Sequence, residues 1–179
     1  MMNYNWKELL ETCRETSGRA RAALCGRVWP LEELWRVAAL PDEDEPYGRH
    51  LLYRDAGGEV LLVRWRPGQF CAPHDHSAST GYVCVLAGAL VERHWAWDGK
   101  DLVQTAEHRF AAPETIPVAG IHSMMAVDGG LSLHIYLPGV SGMRVYDIAR
   151  RETLVVADDC GAWVPRRESL IIVRAPWGE

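Results

Sequence analysis

Leu131-Ser132-Leu133-His134-Ile135-Tyr136-Leu137 alternates apolar and polar residues without a break. Successive side chains on a strand point to opposite faces, so this period of two marks a strand rather than a helix. Ser132, His134 and Tyr136 share one face, and four aliphatic residues share the other. Two arrangements are open. The polar row faces water, as on most half-buried antiparallel strands. Alternatively, Leu131, Leu133, Ile135 and Leu137 pack under helices and the row looks into the lumen of a small barrel. Buried polar groups must be hydrogen-bonded, and there a Ser–His–Tyr relay would satisfy them.

Turn signals bracket this stretch at Asp128-Gly129-Gly130 and Pro138-Gly139, and the same punctuation recurs at Gly57-Gly58, Pro67-Gly68 and Asp98-Gly99. Between these turns the sequence predicts strands at about 47–54, 59–65, 71–76, 82–86, 90–97, 102–110, 122–127, 131–137, 143–148 and 170–174. No βαβ alternation is present. Many short antiparallel strands close up or stack to hide their edges, so the expected class is all-β, a double-sheet jelly-roll barrel.

Upstream the periodicity changes to that of helices. Trp6, Leu9, Leu10 and Cys13 fall at i, i+3, i+4 and i+7, with Asn5 placed to cap the start. Pro30 opens a second helix that carries Leu31, Leu34, Trp35 and Ala38, and Pro41 ends it. The acidic run Asp42-Glu43-Asp44-Glu45 reads as a solvated loop. One domain over 1–179 is expected, helical over about 1–41 and a β-barrel over about 47–179.

The chain has 179 residues, 48% hydrophobic and 24% charged, as expected for an ordinary globular protein. Its net charge of -5 offers phosphates no basic field, which argues against a nucleic-acid partner. No run approaches the ~18 apolar residues of a membrane helix, and the first residues lack the layout of a secretory signal. No membrane partner and a cytoplasmic location are therefore expected. Cys13, Cys25, Cys71, Cys84 and Cys160 contain no Cys-x-x-Cys pair and read as reduced thiols.

His74-Asp75-His76 places two imidazoles on one strand face and Asp75 on the other. Such a pair is either a polar surface feature or half of a metal site. His122, 46 residues after His76, supplies a third imidazole from a facing strand. Three neutral imidazoles suit zinc, copper, iron or nickel, and no carboxylate follows the pair in Ser77-Ala78-Ser79-Thr80-Gly81. Tyr47, Arg49, Leu51 and Tyr53 share a further strand face, on which Arg49 is either solvated or, inside a barrel, in need of an anion. His50, His94 and His108 are expected on outer faces, Cys71 and Pro73 opposite His74, Trp65 in the core or pocket wall, and Trp95 and Trp97 over the core.

These segments together resemble the cupin superfamily and, within it, the cysteine dioxygenase family, especially its bacterial members. The first cupin motif is matched by Gly68, His74-Asp75-His76, Gly81 and Gly88, and the second by Pro117, Gly120 and His122. More specific are Tyr47-x-Arg49, Trp65 nine residues before His74, and Ser132-x-His134-x-Tyr136 followed by Pro138. The resemblance spans about 47–146.

It implies a cupin double-stranded β-helix with Fe(II) held by His74, His76 and His122, and with Arg49 gripping the substrate carboxylate. Tyr136 would be the active-site tyrosine, His134 and Ser132 its hydrogen-bonded support, and Tyr47 and Met143 would line the pocket. The implied activity is cysteine catabolism, the conversion of L-cysteine and O2 to cysteine sulfinate. Relatives that act on 3-mercaptopropionate tend to have Gln in place of Arg49. Three positions depart from the pattern: Gly81 stands where animal members carry the cysteine cross-linked to the tyrosine, Ala126 replaces an Asn, and Met143 replaces a cysteine. Cys84 is read as a buried strand residue. The rival readings are a dioxygenase for another small thiol and a non-enzymatic metal-containing cupin that binds a small anion. A monomer or homodimer is expected.

Overall fold

The computed structural model describes residues 4–15, 24 and 26–178. Helix α1, Trp6–Glu15, starts where Asn5 Oδ1 accepts the Glu8 N–H at 3.1 Å, the cap the sequence predicts. Its apolar stripe of Trp6, Leu9, Leu10 and Cys13 is buried. Helix α2, Leu31–Val37, begins one residue after Pro30, which occupies the cap rather than the first helical position. Cys25 lies outside the described residues.

Among the described residues the strands are β1 (Tyr47–Asp55), β2 (Gly58–Trp65), β3 (His74–Asp75), β4 (Thr80–Trp97), β5 (Leu102–Ala111), β6 (Thr115–Val118), β7 (Ile121–Leu137), β8 (Arg144–Asp147), β9 (Glu152–Val156) and β10 (Ile171–Pro176). They form one curled antiparallel sheet in the order β1-β2-β7-β3-β8-β9-β10, and β4 joins β7 and carries β5 and β6. The all-β jelly-roll expectation holds.

Two long strands make both layers. Residues 81–85 of β4 pair with the end of β7, which also pairs with β2, whereas residues 90–95 pair with the start of β7, which also meets β3. The register shifts at 85/87 and 88/90, where both ribbons bend. Gly88 has φ +80, and a Cβ there would stand 2.6 Å from the Gly129 carbonyl oxygen. The break expected after residue 86 and the turn expected at Asp128-Gly129-Gly130 are thus bends inside continuous strands, so the expected 82–86/90–97 and 122–127/131–137 pairs are each a single strand. The expected strand 71–76 shrinks to the two residues of β3, and β6 and β9 are additions.

The leucine face of β7 lies under the helices. Leu131, Leu133 and Ile135 are fully buried in a cluster with Trp6, Leu9, Leu10, Leu34, Val60, Leu62 and Cys84. Each such aliphatic side chain contributes about 1.5–3 kcal/mol. Ser132, His134 and Tyr136 therefore face the barrel interior, beside the second core built on Val63, Trp65, Leu90, Met124 and Val145. One parity prediction is corrected: a bulge between Leu51 and Tyr53 turns Tyr53 away from Tyr47 and Arg49, onto the helix-side cluster.

Candidate metal centre

Strand β3 hydrogen-bonds between β7 and β8, and its register sets His74 opposite His122. Among the described residues, His74, His76 and His122 form the one cluster of three or more His, Cys, Asp or Glu that could hold a metal ion. One ligand atom from each lies within 4.8 Å of the others, and all three are buried. His74 Nδ1 is 3.0 Å from the Ala72 carbonyl oxygen, which can only accept, so Nδ1 carries the hydrogen and Nε2 is free to ligate. His122 Nδ1 donates in the same way to Glu92 Oε1 at 2.6 Å. Its Nε2 is buried without a hydrogen-bond partner, as a nitrogen reserved for a metal would be. Burial first, then repulsion from its neighbours, holds His74 and His76 well below the ordinary imidazole range, so both are neutral donors near neutral pH. The residues fit a metal.

Asp75 points away from the cluster, as the alternation requires. Its carboxylate accepts the Tyr146 hydroxyl at 2.7 Å, the Arg144 guanidinium at 2.9 Å and the Ser77 N–H at 2.9 Å, which pins this short strand between its ligands.

The polar row of β7 is a continuous chain. Trp65 Nε1–H donates to Ser132 Oγ at 2.8 Å, Ser132 Oγ meets His134 Nε2 at 2.9 Å, and His134 Nδ1 meets the Tyr136 hydroxyl at 3.0 Å. Burial pushes His134 down to about 3, with His122 and Arg49 adding to the effect, so its ring is neutral. A neutral imidazole carries one N–H, so it donates to one hydroxyl and accepts from the other. Burial and the neighbouring Tyr47 raise Tyr136 well above the usual phenol range. Its ring stacks on His76 with centroids 4.9 Å apart, which joins the row to the histidine cluster.

A small cavity of about 30 Å³ connects these groups, lined by His74, His76, His134, Tyr136, Arg49 and Met143, with Tyr47 also in its wall. Arg49 donates to the carbonyl oxygens of Cys160 at 2.6 Å and Asp158 at 2.9 Å, using two of its five N–H groups. Tyr47 Oη accepts the Ala162 N–H at 2.7 Å. The segment after β9, which the sequence leaves without a role, is thereby fastened over the cavity by two of the expected site residues.

Every expected site residue except Ser132 and His122 lines this cavity, and those two support it from behind. Three further side chains lie against these groups. Glu92, 1% exposed, holds His122 and also meets His94 Nε2 at 3.2 Å, so His94 is half-buried rather than on an outer face. Glu59 closes one end of the cavity, paired with Arg54 and accepting the Val140 N–H at 2.9 Å. The sequence places Cys71 opposite His74, but its Sγ is 3.9 Å from His74 Nδ1 and accepts the Met124 N–H, and the residues before β3 are not part of a strand. Burial pushes its thiol up to about 12. Glu59 shares the inward parity of Leu61, Val63 and Trp65, a signal available in the sequence; Glu92 has no local sequence relation to His122. Trp97 is 44% exposed against Trp177 instead of covering the core.

A model of the family described as Cysteine dioxygenase type I matches residues 31–149. Among solved structures, a double-stranded beta-helix protein from Klebsiella pneumoniae is similar at 20% identity, over 66% of this chain and 90% of that one, with a TM-score of 0.49. A cupin superfamily protein from Desulfitobacterium hafniense is similar at 17% identity, over 63% of this chain and 91% of that one, with a TM-score of 0.46.

Proposed function

This chain belongs to the cysteine dioxygenase type I family, and from that premise we propose that it is an Fe(II)-dependent dioxygenase that converts L-cysteine and O2 to cysteine sulfinate. The observation that carries the proposal is a cluster of three buried imidazoles, two of which line a small cavity together with a phenol on a hydrogen-bonded relay and an arginine. His74, His76 and His122 hold Fe(II). Bound there, the ion supplies the Lewis acidity that lowers the thiol pKa and the redox chemistry that reduces O2. Oxidation of a thiolate to a sulfinate yields the four electrons that O2 takes up, and both oxygen atoms end on sulfur, so no other reductant is required.

The remaining steps belong to side chains. Arg49 keeps three N–H groups beyond those given to Asp158 and Cys160, enough to grip a carboxylate with charge-assisted bonds. The carbonyls hold its fork in place before substrate arrives. Tyr47 Oη, which accepts from Ala162, has its own hydrogen left for the same carboxylate. Tyr136 retains its hydrogen through the neutral range and presents it toward the sulfur, oriented by His134 and Ser132. Met143 and Val140 fill the wall, and the cavity's size favours a small thiol.

The test is oxygen consumption by Fe(II)-loaded protein with L-cysteine and 3-mercaptopropionate compared side by side, and identification of the sulfur product. Uptake with cysteine that yields the sulfinate is the expected result. A preference for 3-mercaptopropionate would keep the iron centre and overturn the substrate; no uptake with either thiol at full iron occupancy would keep the metal site and overturn oxidation of these thiols.

A further inference from the structure

Strand β4 carries Glu92 and His94 on the same face, and the ladder sets His94 directly across from His122. The Glu92 side chain is 2% exposed, and a carboxylate this deep must be paired on both oxygens to persist as an anion. Oε1 accepts from His122 Nδ1 at 2.6 Å, and Oε2 lies 3.2 Å from His94 Nε2. The outer ring is 32% exposed and stands edge-on to His108, with centroids 5.6 Å apart.

We propose that His94 is a positioning residue for the three-histidine centre and acts through Glu92. An imidazole on each oxygen fixes the plane of the carboxylate, and the fixed carboxylate sets the rotation of the His122 ring and aims Nε2 at His74 and His76. With Oε2 unpaired, the buried carboxylate would turn to seek another donor and carry His122 with it. Outer partners of metal-bound histidines typically change metal affinity by about 10–100-fold. His94 stands one step further out, so the effect expected is at the low end of that range.

The inference rests on the metal reading above, and the experiment separates the two. Co(II) affinity is measured by competition with a chromophoric chelator, together with the visible spectrum of the Co(II)-loaded protein, for the wild-type full chain, His94→Leu and His94→Gln. His94→Leu should bind Co(II) roughly tenfold more weakly and with an altered spectrum. His94→Gln, whose amide can still donate to Oε2, should recover most of the affinity. Should His94→Leu fail to fold, His94→Thr provides the same donor-shortened comparison against His94→Gln. Equal affinities and spectra in wild type and His94→Leu would overturn the role of His94 while leaving the centre intact. Wild-type protein that takes up no Co(II) or Fe(II) would overturn the metal reading and this inference with it.

Discussion

Arg49 has two duties at once, since its guanidinium fastens the carbonyls of Asp158 and Cys160 and faces the cavity with its remaining donors. Charge-assisted hydrogen bonds contribute about 1.5–3 kcal/mol, which corresponds to roughly tenfold to a hundredfold in rate. Arg49→Gln should accordingly lower kcat/KM for L-cysteine by that factor, with iron content unchanged. Steady-state kinetics on the iron-loaded variant would check this, and unaltered cysteine kinetics would remove Arg49 from substrate binding. At this scale the sequence was most informative where chemistry is local. In His74-Asp75-His76 and Ser132-x-His134-x-Tyr136 spacing alone shows which side chains share a face, though not whether that face looks inward. The role of Glu92 is not legible in this way, because its partner lies 30 residues away and only the β4–β7 register brings them together.

Strand pairing decides what the cavity can tolerate. Gly81 pairs with Tyr136 across β4 and β7, and a Cβ added there would collide with the Ile135 carbonyl oxygen. Gly81→Cys should therefore leave Tyr136 unmodified and cost about 1–3 kcal/mol of stability through overpacking. Intact mass would show no loss of two hydrogens, and denaturant unfolding would give the cost; a cross-linked product would show that the strands can separate. On the opposite face of β7, Leu133 is fully buried beneath the helices. Leu133→Ala should cost about 2–5 kcal/mol by equilibrium unfolding yet retain turnover per folded molecule, since its side chain points away from the cavity. The bends at Gly88 and Gly129 are legible only as a gap between strands and a turn, because a glycine that ends a strand and one that folds it back on itself look alike in sequence. Strands β6 and β9 carry no clear strand pattern in the sequence. Pro117 interrupts the first, and the second gains its alternation only by pairing between β8 and β10.

For the molecule as a whole, the neutral imidazoles in the barrel make folding sensitive to acid. His134 in the unfolded chain takes a proton below its ordinary value of 6.5, whereas in the folded chain it does so only at about 3. Between those values the unfolded state binds more protons, so stability falls as the pH drops from 6.5 toward 3 and is fully present above 6.5. His74 and His76 act with the same sign. Thermal melts of chelator-treated protein should show the midpoint falling over that window, with a shallower slope for His134→Gln. A flat profile would mean that these rings are protonated in the fold.

His122 and the Ser132, His134 and Tyr136 row lie on one unbroken strand, β7, folded at Gly129. The strand therefore works as a ruler whose markings are its own residue count. Deleting one residue at the fold would leave His122 in place but reverse the phase of everything after it. Leucines would then enter the cavity, and the serine, histidine and tyrosine would be turned into the oily layer beneath the helices.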